Sequence, residues 1–161
     1  MGKKYEFTGE TKVVFGITLR QVRALIDFRF AAKGEIGGWI EDEKSLSQDG
    51  NAWVSGNAWV YGNARVSSNA QVSGNAQVYG NAQVSGNADF MLVGPLGSRP
   101  SFLTVHADAK IGIRFSTGCF SGSEAEFSKA VQKTHGDSEF GRQYMAAIEF
   151  SKLVVKSKEK L

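Results

Sequence analysis

From Gly50 an alanine and a valine recur two residues apart, and the pair returns every six residues: Gly-Asn-Ala-Trp-Val-Ser, Gly-Asn-Ala-Trp-Val-Tyr, Gly-Asn-Ala-Arg-Val-Ser, Ser-Asn-Ala-Gln-Val-Ser, Gly-Asn-Ala-Gln-Val-Tyr, Gly-Asn-Ala-Gln-Val-Ser and Gly-Asn-Ala-Asp-Phe-Met91. Residues two apart on an extended chain point to the same side. Ala and Val therefore line one side of a short strand, and their neighbours line the other. Gly-Asn tolerates positive φ and sets a tight turn after every four strand residues. Strands this short do not bury a face as a hairpin ladder, so a constant period predicts a coil.

The flanks carry no such period. Upstream, Lys3–Phe7, Lys12–Phe15 and Leu19–Asp27 read as short strands around turns at Gly9 and Gly16, with a helix over Leu19–Phe28 as the alternative. Phe28, Phe30, Ile36, Trp39 and Ile40 supply apolar mass to close the open end of a coil, which otherwise exposes its core and strand edges. Ile40 and Leu46 fall in the alanine phase while Asp42 and Gln48 take the valine phase, so 36–49 is expected to be an irregular lead-in. Downstream, after an interruption at 92–102, strands are expected around Phe102–Val105 and Lys110–Phe115, and Val105, Ala109 and Ile111 predict a further partial coil. Ser123 with Glu126 forms a capping-box pattern, predicting a helix over 124–134 with Phe127, Ala130 and Val131 inward, ending near His135-Gly136. Ser138 caps a second helix with Phe140, Tyr144, Ala147, Ile148 and Val154 on its buried side. The organisation expected is a cap over 1–49, a repeat over 50–91, and loop, strands and two helices over 92–161.

Composition narrows the classes. At 161 residues with 42% hydrophobic, the chain points to one modest globular domain, or a small core with appendages. A single cysteine, Cys119, excludes an intramolecular disulfide framework. Cys119 with only His106 and His135 gives no Cys/His zinc cluster, so no metal and no cofactor is expected. No membrane span or secretory leader is legible, and the chain reads as soluble and cytoplasmic. Residues 1–50 carry eight Lys/Arg against eight Asp/Glu, 51–91 carry only Arg65 and Asp89, and 92–161 carry ten against seven. The excess sits in the last part, much of it in a solvated tail, so a nucleic-acid partner is not expected.

The phase Val-x-x-x-Ala-x resembles the hexapeptide pattern of left-handed parallel β-helices. In that family an aliphatic residue and a small residue four later fill a triangular prism, and three hexapeptides make an 18-residue coil. The resemblance covers 50–91 and implies a mainly β fold: a short left-handed parallel β-helix with an N-terminal β cap and a C-terminal two-helix segment. Stacking at that interval puts Trp53, Gln71 and Asp89 in one outward row, Trp59 with Gln77, Arg65 with Gln83, and Tyr61 with Tyr79. Trp59, Tyr61 and Tyr79 then share a face. Because such coils form trimers, that face is expected to be a homotrimer interface; a ligand or protein platform is the alternative. The front part also resembles hexapeptide-repeat proteins of phages and prophages, often labelled polymer-forming. The tail is similar to a phage module through the words Gly-Pro-Leu-Gly-Ser-Arg and Gly-Cys-Phe-Ser-Gly. Neither resemblance brings a catalytic residue.

A Gly/Ser-rich turn entering a capped helix presents free backbone N–H groups and the positive end of the helix dipole, which suits an anion. The candidate ligand set is Gly97 and Ser98 as donors, Arg99 or Arg114 as a two-bond grip, Phe102 and Phe120 as stacking rings, and Ser123 at the helix start. The function expected is non-enzymatic: sequestration of a small anionic or nucleotide-like host signal at sites between subunits, countering host defence. The alternatives are a module docking a host protein through the aromatic face, and an acyltransferase using His106 as base. His106 otherwise reads as a surface or interface residue, His135 as a helix-end partner of the dipole, and Cys119 as a small buried packing residue rather than a nucleophile.

Overall fold

The computed structural model describes residues 2–86 and 89–157. The chain divides into two compact units, 1–87 and 88–161. The fold is mainly β, with an N-terminal strand region and two C-terminal helices.

The first unit opens with a hairpin, β1 (Tyr5–Val14) and β2 (Ile17–Ala24), whose antiparallel register closes at Val14 and Ile17. Phe15 and Gly16 make its two-residue turn, both at positive φ as the twist of a hairpin favours. Gly9 is not a turn: β1 runs through it, and the register shifts between Phe7 and Thr11, a bulge. The helical alternative for Leu19–Phe28 is overturned by the same pairing, and Leu19, Val22 and Ala24 of this strand are buried. β3 (Ile36–Ile40) pairs antiparallel with β2.

Six two-residue strands follow: β4 (Trp53–Val54), β5 (Trp59–Val60), β6 (Arg65–Val66), β7 (Gln71–Val72), β8 (Gln77–Val78) and β9 (Gln83–Val84). The first three pair in parallel with the three that lie eighteen residues on: Val54 with Val72, Val60 with Val78, Val66 with Val84. Three separate sheets visited in rotation make a coil with three faces. Ala52, Ala58, Ala64, Ala70, Ala76 and Ala82 are fully buried, as are the six valines to within 1%. The inward reading of Ala and Val therefore holds, and each buried valine contributes about 1.5–3 kcal/mol.

Two expectations fail at the ends of this coil. Ile40 pairs with Val60 and Leu46 with Val66, both in parallel, so Ile40 and Leu46 occupy valine positions and 36–49 is already a rung. Their partners lie twenty residues on, because two extra residues sit between Leu46 and Val54 and displace the phase. Lys4 fastens that insertion. It is 2% exposed, and its ammonium donates to the carbonyls of Ala52 (2.8 Å), Gly50 (3.4 Å) and Asp49 (3.5 Å). Burial lowers the Lys4 ammonium to about 8 against the pull of Asp49. At the other end, Phe90 and Met91 begin an antiparallel strand instead of completing a seventh rung. Residues 87 and 88 of that seventh unit lie outside the described residues.

Trp53 is in the outward phase yet fully buried. Phe28 meets it edge-on at 5.3 Å. Gly37 lies against it so closely that a Cβ there would fall 2.7 Å from the Trp53 ring and 2.6 Å from the Val54 carbonyl oxygen. Asp89, read in the same row, belongs to the other unit, just before β10.

The second unit is an antiparallel sheet in the order β10 (Phe90–Leu96), β11 (Ser101–Asp108), β12 (Gly112–Thr117), β13 (Phe120–Gly122), not a resumed coil. Leu103, Val105 and Ala107 alternate inward with Phe115 against α1 (Glu124–His135) and α2 (Glu139–Val154). The capping box forms as read: Ser123 and Glu126 satisfy each other's backbone N–H groups. Ser123→Ala is expected to cost about 1 kcal/mol, checked by chemical denaturation of this unit. Phe127 and Val131 of α1, and Tyr144, Ala147 and Ile148 of α2, are buried; Phe140 is exposed, and Ser151 and Val155 complete the inward side instead.

Candidate functional site

Three cavities of the second unit bear on the site: one of about 610 Å³, lined by Ser123 with Ile111 to Ile113 and the start of α1, shares no residue with the other two, which adjoin. The larger of the adjoining two, about 380 Å³, is lined by the β10–β11 turn (Ser98, Arg99, Ser101), the β12–β13 turn (Thr117 to Phe120), and Thr134, His135 and Tyr144 from the helices. The smaller, about 150 Å³, is an apolar slot walled by Phe120, Phe127, Ala130, Val131, His135 and Tyr144, among others. The two share Thr117, Phe120, Thr134, His135 and Tyr144. A mainly apolar vestibule with Arg99 among its lining residues thus adjoins a slot of aromatic walls.

Local sequence explains each wall. The capping box starts α1 so that Phe127 faces the sheet, stacked on Phe115 at 5.5 Å and tilted against Phe120 at 5.1 Å. Tyr144 meets Phe127 edge-on at 5.7 Å and stacks on His135 at 5.6 Å. The Tyr144 hydroxyl donates to the Leu96 carbonyl at 3.5 Å. Gly97 sits against that ring: a Cβ there would lie 2.4 Å from the Tyr144 hydroxyl. The Gly97 N–H donates to the Gln143 side-chain carbonyl at 3.1 Å. Arg99 is exposed and, among the described residues, has no carboxylate partner.

Of the seven residues read as a ligand site, Ser98, Arg99 and Phe120 line the vestibule. Gly97 lies behind them with its N–H already taken by Gln143, so it offers no donor to a ligand. Phe102, 39% exposed, is outside both cavities. Arg114 is outside as well. Its Nε donates to Asp108 at 2.8 Å and its guanidinium donates to the Ser121 hydroxyl at 3.0 Å, while the Asp108 side chain is fully buried. Burial alone would raise the Asp108 carboxyl. Hydrogen bonds from Arg114 and from the Lys110 and Ile111 N–H groups nonetheless hold it below the usual carboxylate range. Ser123 is spent on the capping box. The Glu126 carboxylate accepts from its N–H and its hydroxyl, both at 2.8 Å, and these bonds hold Glu126 low. The helix start therefore carries its own anion.

The histidines and the cysteine differ from their sequence readings. His106 is fully buried, not a surface residue, and burial pushes its imidazole down to about 4 despite a hydrogen bond to the Ala107 carbonyl. Cys119 is exposed in the β12–β13 turn and lines the vestibule. His135 and Tyr144 were read only as a helix end and a core residue. The signal that joins them is that the last turn of α1 and the second turn of α2 must lie side by side when four residues at most separate two helices.

The aromatic face of the first unit divides in two. Tyr61 and Tyr79 stack at 4.9 Å and 9°, and burial together with Tyr79 pushes the Tyr61 hydroxyl up to about 12. Trp59 is half-buried, and the Lys12 ammonium lies 4.7 Å from its ring and 4.2 Å from that of Trp39, so part of this surface is already covered.

No protein-family model matches the chain. A stretch of 38 residues is 45% identical to the uncharacterized acetyltransferase YdcK of Escherichia coli strain K12, covering 24% of this chain. The match spans 12% of the length of that relative. Its extent is little more than two eighteen-residue turns, and together with the short parallel strands it fits a hexapeptide-repeat fold. Among the described residues no helix is long and apolar enough to cross a membrane, and no group of three or more His, Cys, Asp or Glu could hold a metal ion.

Proposed function

We propose that this chain is a non-enzymatic binding protein built on a left-handed parallel β-helix. Its second unit takes a small, flat, anionic ligand of the nucleotide kind. The observation that carries this reading is an arginine, Arg99, without a carboxylate partner among the described residues, lining a vestibule that adjoins an aromatic slot. An arginine grips a phosphate through two parallel bonds, and rings in a desolvated slot favour a planar base. The cleft is formed within one unit, so it needs no second subunit, in contrast to the inter-subunit site expected from sequence. The phage setting, cytoplasmic location, trimeric state and role in withdrawing a host defence signal rest on the sequence resemblance.

The test is retention of a small molecule. Protein purified from cells is heat-denatured, and the released ultraviolet-absorbing material is analysed by mass spectrometry. Nucleoside monophosphates are titrated by calorimetry in parallel. Arg99→Ala is expected to lower affinity at least tenfold with no change in melting temperature, since the residue is exposed. A wild-type protein that binds none of these compounds, or an Arg99→Ala variant that binds as well as wild type, would overturn the reading.

The stacked, half-buried Tyr61–Tyr79 pair favours a second reading, a face that docks another protein chain, whether a further copy or a host protein. Tyr79→Ala would break that contact and leave the cleft untouched. The name of the matched relative raises acyl transfer, but a general base must reach its substrate, and His106 is fully buried and held neutral.

A further inference from the structure

Resting on the cleft proposed above, we infer that Gln143 is a positioning residue for the anion half of the site, aiming the turn that carries Arg99. The turn from Gly97 to Pro100 is closed at its base by the pairing of Leu96 with Ser101. Beyond that pair the backbone of the turn is tied to the helices by the Gly97 N–H, which donates to the Gln143 side chain at 3.1 Å. Gln143 itself lines neither cavity. The next residue, Tyr144, is a wall of both cavities and donates to the Leu96 carbonyl just before the turn. Two successive side chains of α2 thus serve two different tasks. Tyr144 shapes the slot for a ring, and Gln143 fixes the loop two residues from the cation. A mobile loop must be ordered when the ligand binds, which weakens affinity; a pre-tethered one is not.

This predicts a split that a general structural role would not give. A nucleoside fills the slot without using Arg99, whereas a nucleoside monophosphate uses both halves. Gln143→Ala is expected to weaken binding of the monophosphates about tenfold while changing binding of the matching nucleosides by less than about twofold. Gln143→Glu keeps an acceptor for the Gly97 N–H, and is expected to restore amide protection at Gly97 in hydrogen exchange, which Gln143→Ala loses. Equal losses for nucleoside and monophosphate, or unchanged binding of both, overturn the inference while leaving the cleft intact. Failure of the wild-type protein to bind either class overturns both readings together. Unaltered Gly97 exchange in Gln143→Ala overturns the tether alone.

Discussion

Replacing Trp53 by alanine is expected to lower stability by about 3–5 kcal/mol, the range for removing a fully enclosed large aromatic side chain. Its ring is 0% exposed, packed edge-on against Phe28 and pressed on Gly37, so the space it leaves is bounded by backbone that cannot close in. Trp59→Ala supplies the contrast. That ring occupies the same phase of the repeat, is half-buried, and lies under the ammonium of Lys12, so about 1 kcal/mol is expected. Guanidinium denaturation followed by far-ultraviolet dichroism measures both. Equal losses at the two positions would mean that the cover over Trp53 is wrong.

Acid is expected to weaken the protein before any carboxylate cluster explains it. His106 titrates near 6.5 when unfolded and near 4 when folded, because burial disfavours its charged form. A base whose folded value is depressed contributes stability that is complete above 6.5. That stability is lost as pH falls toward 4, where the unfolded chain binds a proton that the folded chain refuses. The loss over that window is about 3 kcal/mol, from 1.36 kcal/mol for each tenfold change in protonation. The depressed carboxyl of Asp108 acts below this window, its ordinary value being 3.8, and that of Glu126, ordinarily 4.5, adds only at the acid end of it. His106→Gln is expected to flatten the profile between those limits while lowering its plateau. A wild-type profile that stays flat down to pH 4.5 would show that His106 is not shut away.

How much of this was legible in the sequence depended on whether the deciding contacts were local. The Ala-x-Val tract carries its own period, and burial of every alanine and valine follows from it. The Tyr61–Tyr79 stack follows from counting eighteen residues, and the Ser123–Glu126 capping box lies within a single turn. Trp53 was misread because its cover comes from Phe28 and Gly37, which no local pattern links to it. Ile40 and Leu46 were misphased because two extra residues before Val54 break the count, and what makes that break tolerable is Lys4, nearly fifty residues upstream. The strands after 100 were read as returning coil from Val105, Ala109 and Ile111. The stronger signal was strict alternation at Leu103, Val105 and Ala107, which belongs to an antiparallel sheet with one face on helices. In the candidate site, Ser98, Arg99 and Phe120 were recoverable as a cation and ring in Gly-rich turns. Arg114 and Ser123 were not, since their partners Asp108, Ser121 and Glu126 consume the chemistry that made them attractive.

The eighteen-residue pairing also constrains how this tract can lengthen or shorten. Val54, Val60 and Val66 each pair with the valine eighteen residues on, so excising eighteen residues from the tract would leave every remaining column aligned with itself. Excising six would keep the interior filled yet carry Tyr79 round to a different sheet of the coil from Tyr61. Interior and exterior therefore answer to different arithmetic: the inside tolerates change in sixes, while any surface that works by stacking outward side chains survives only change in eighteens.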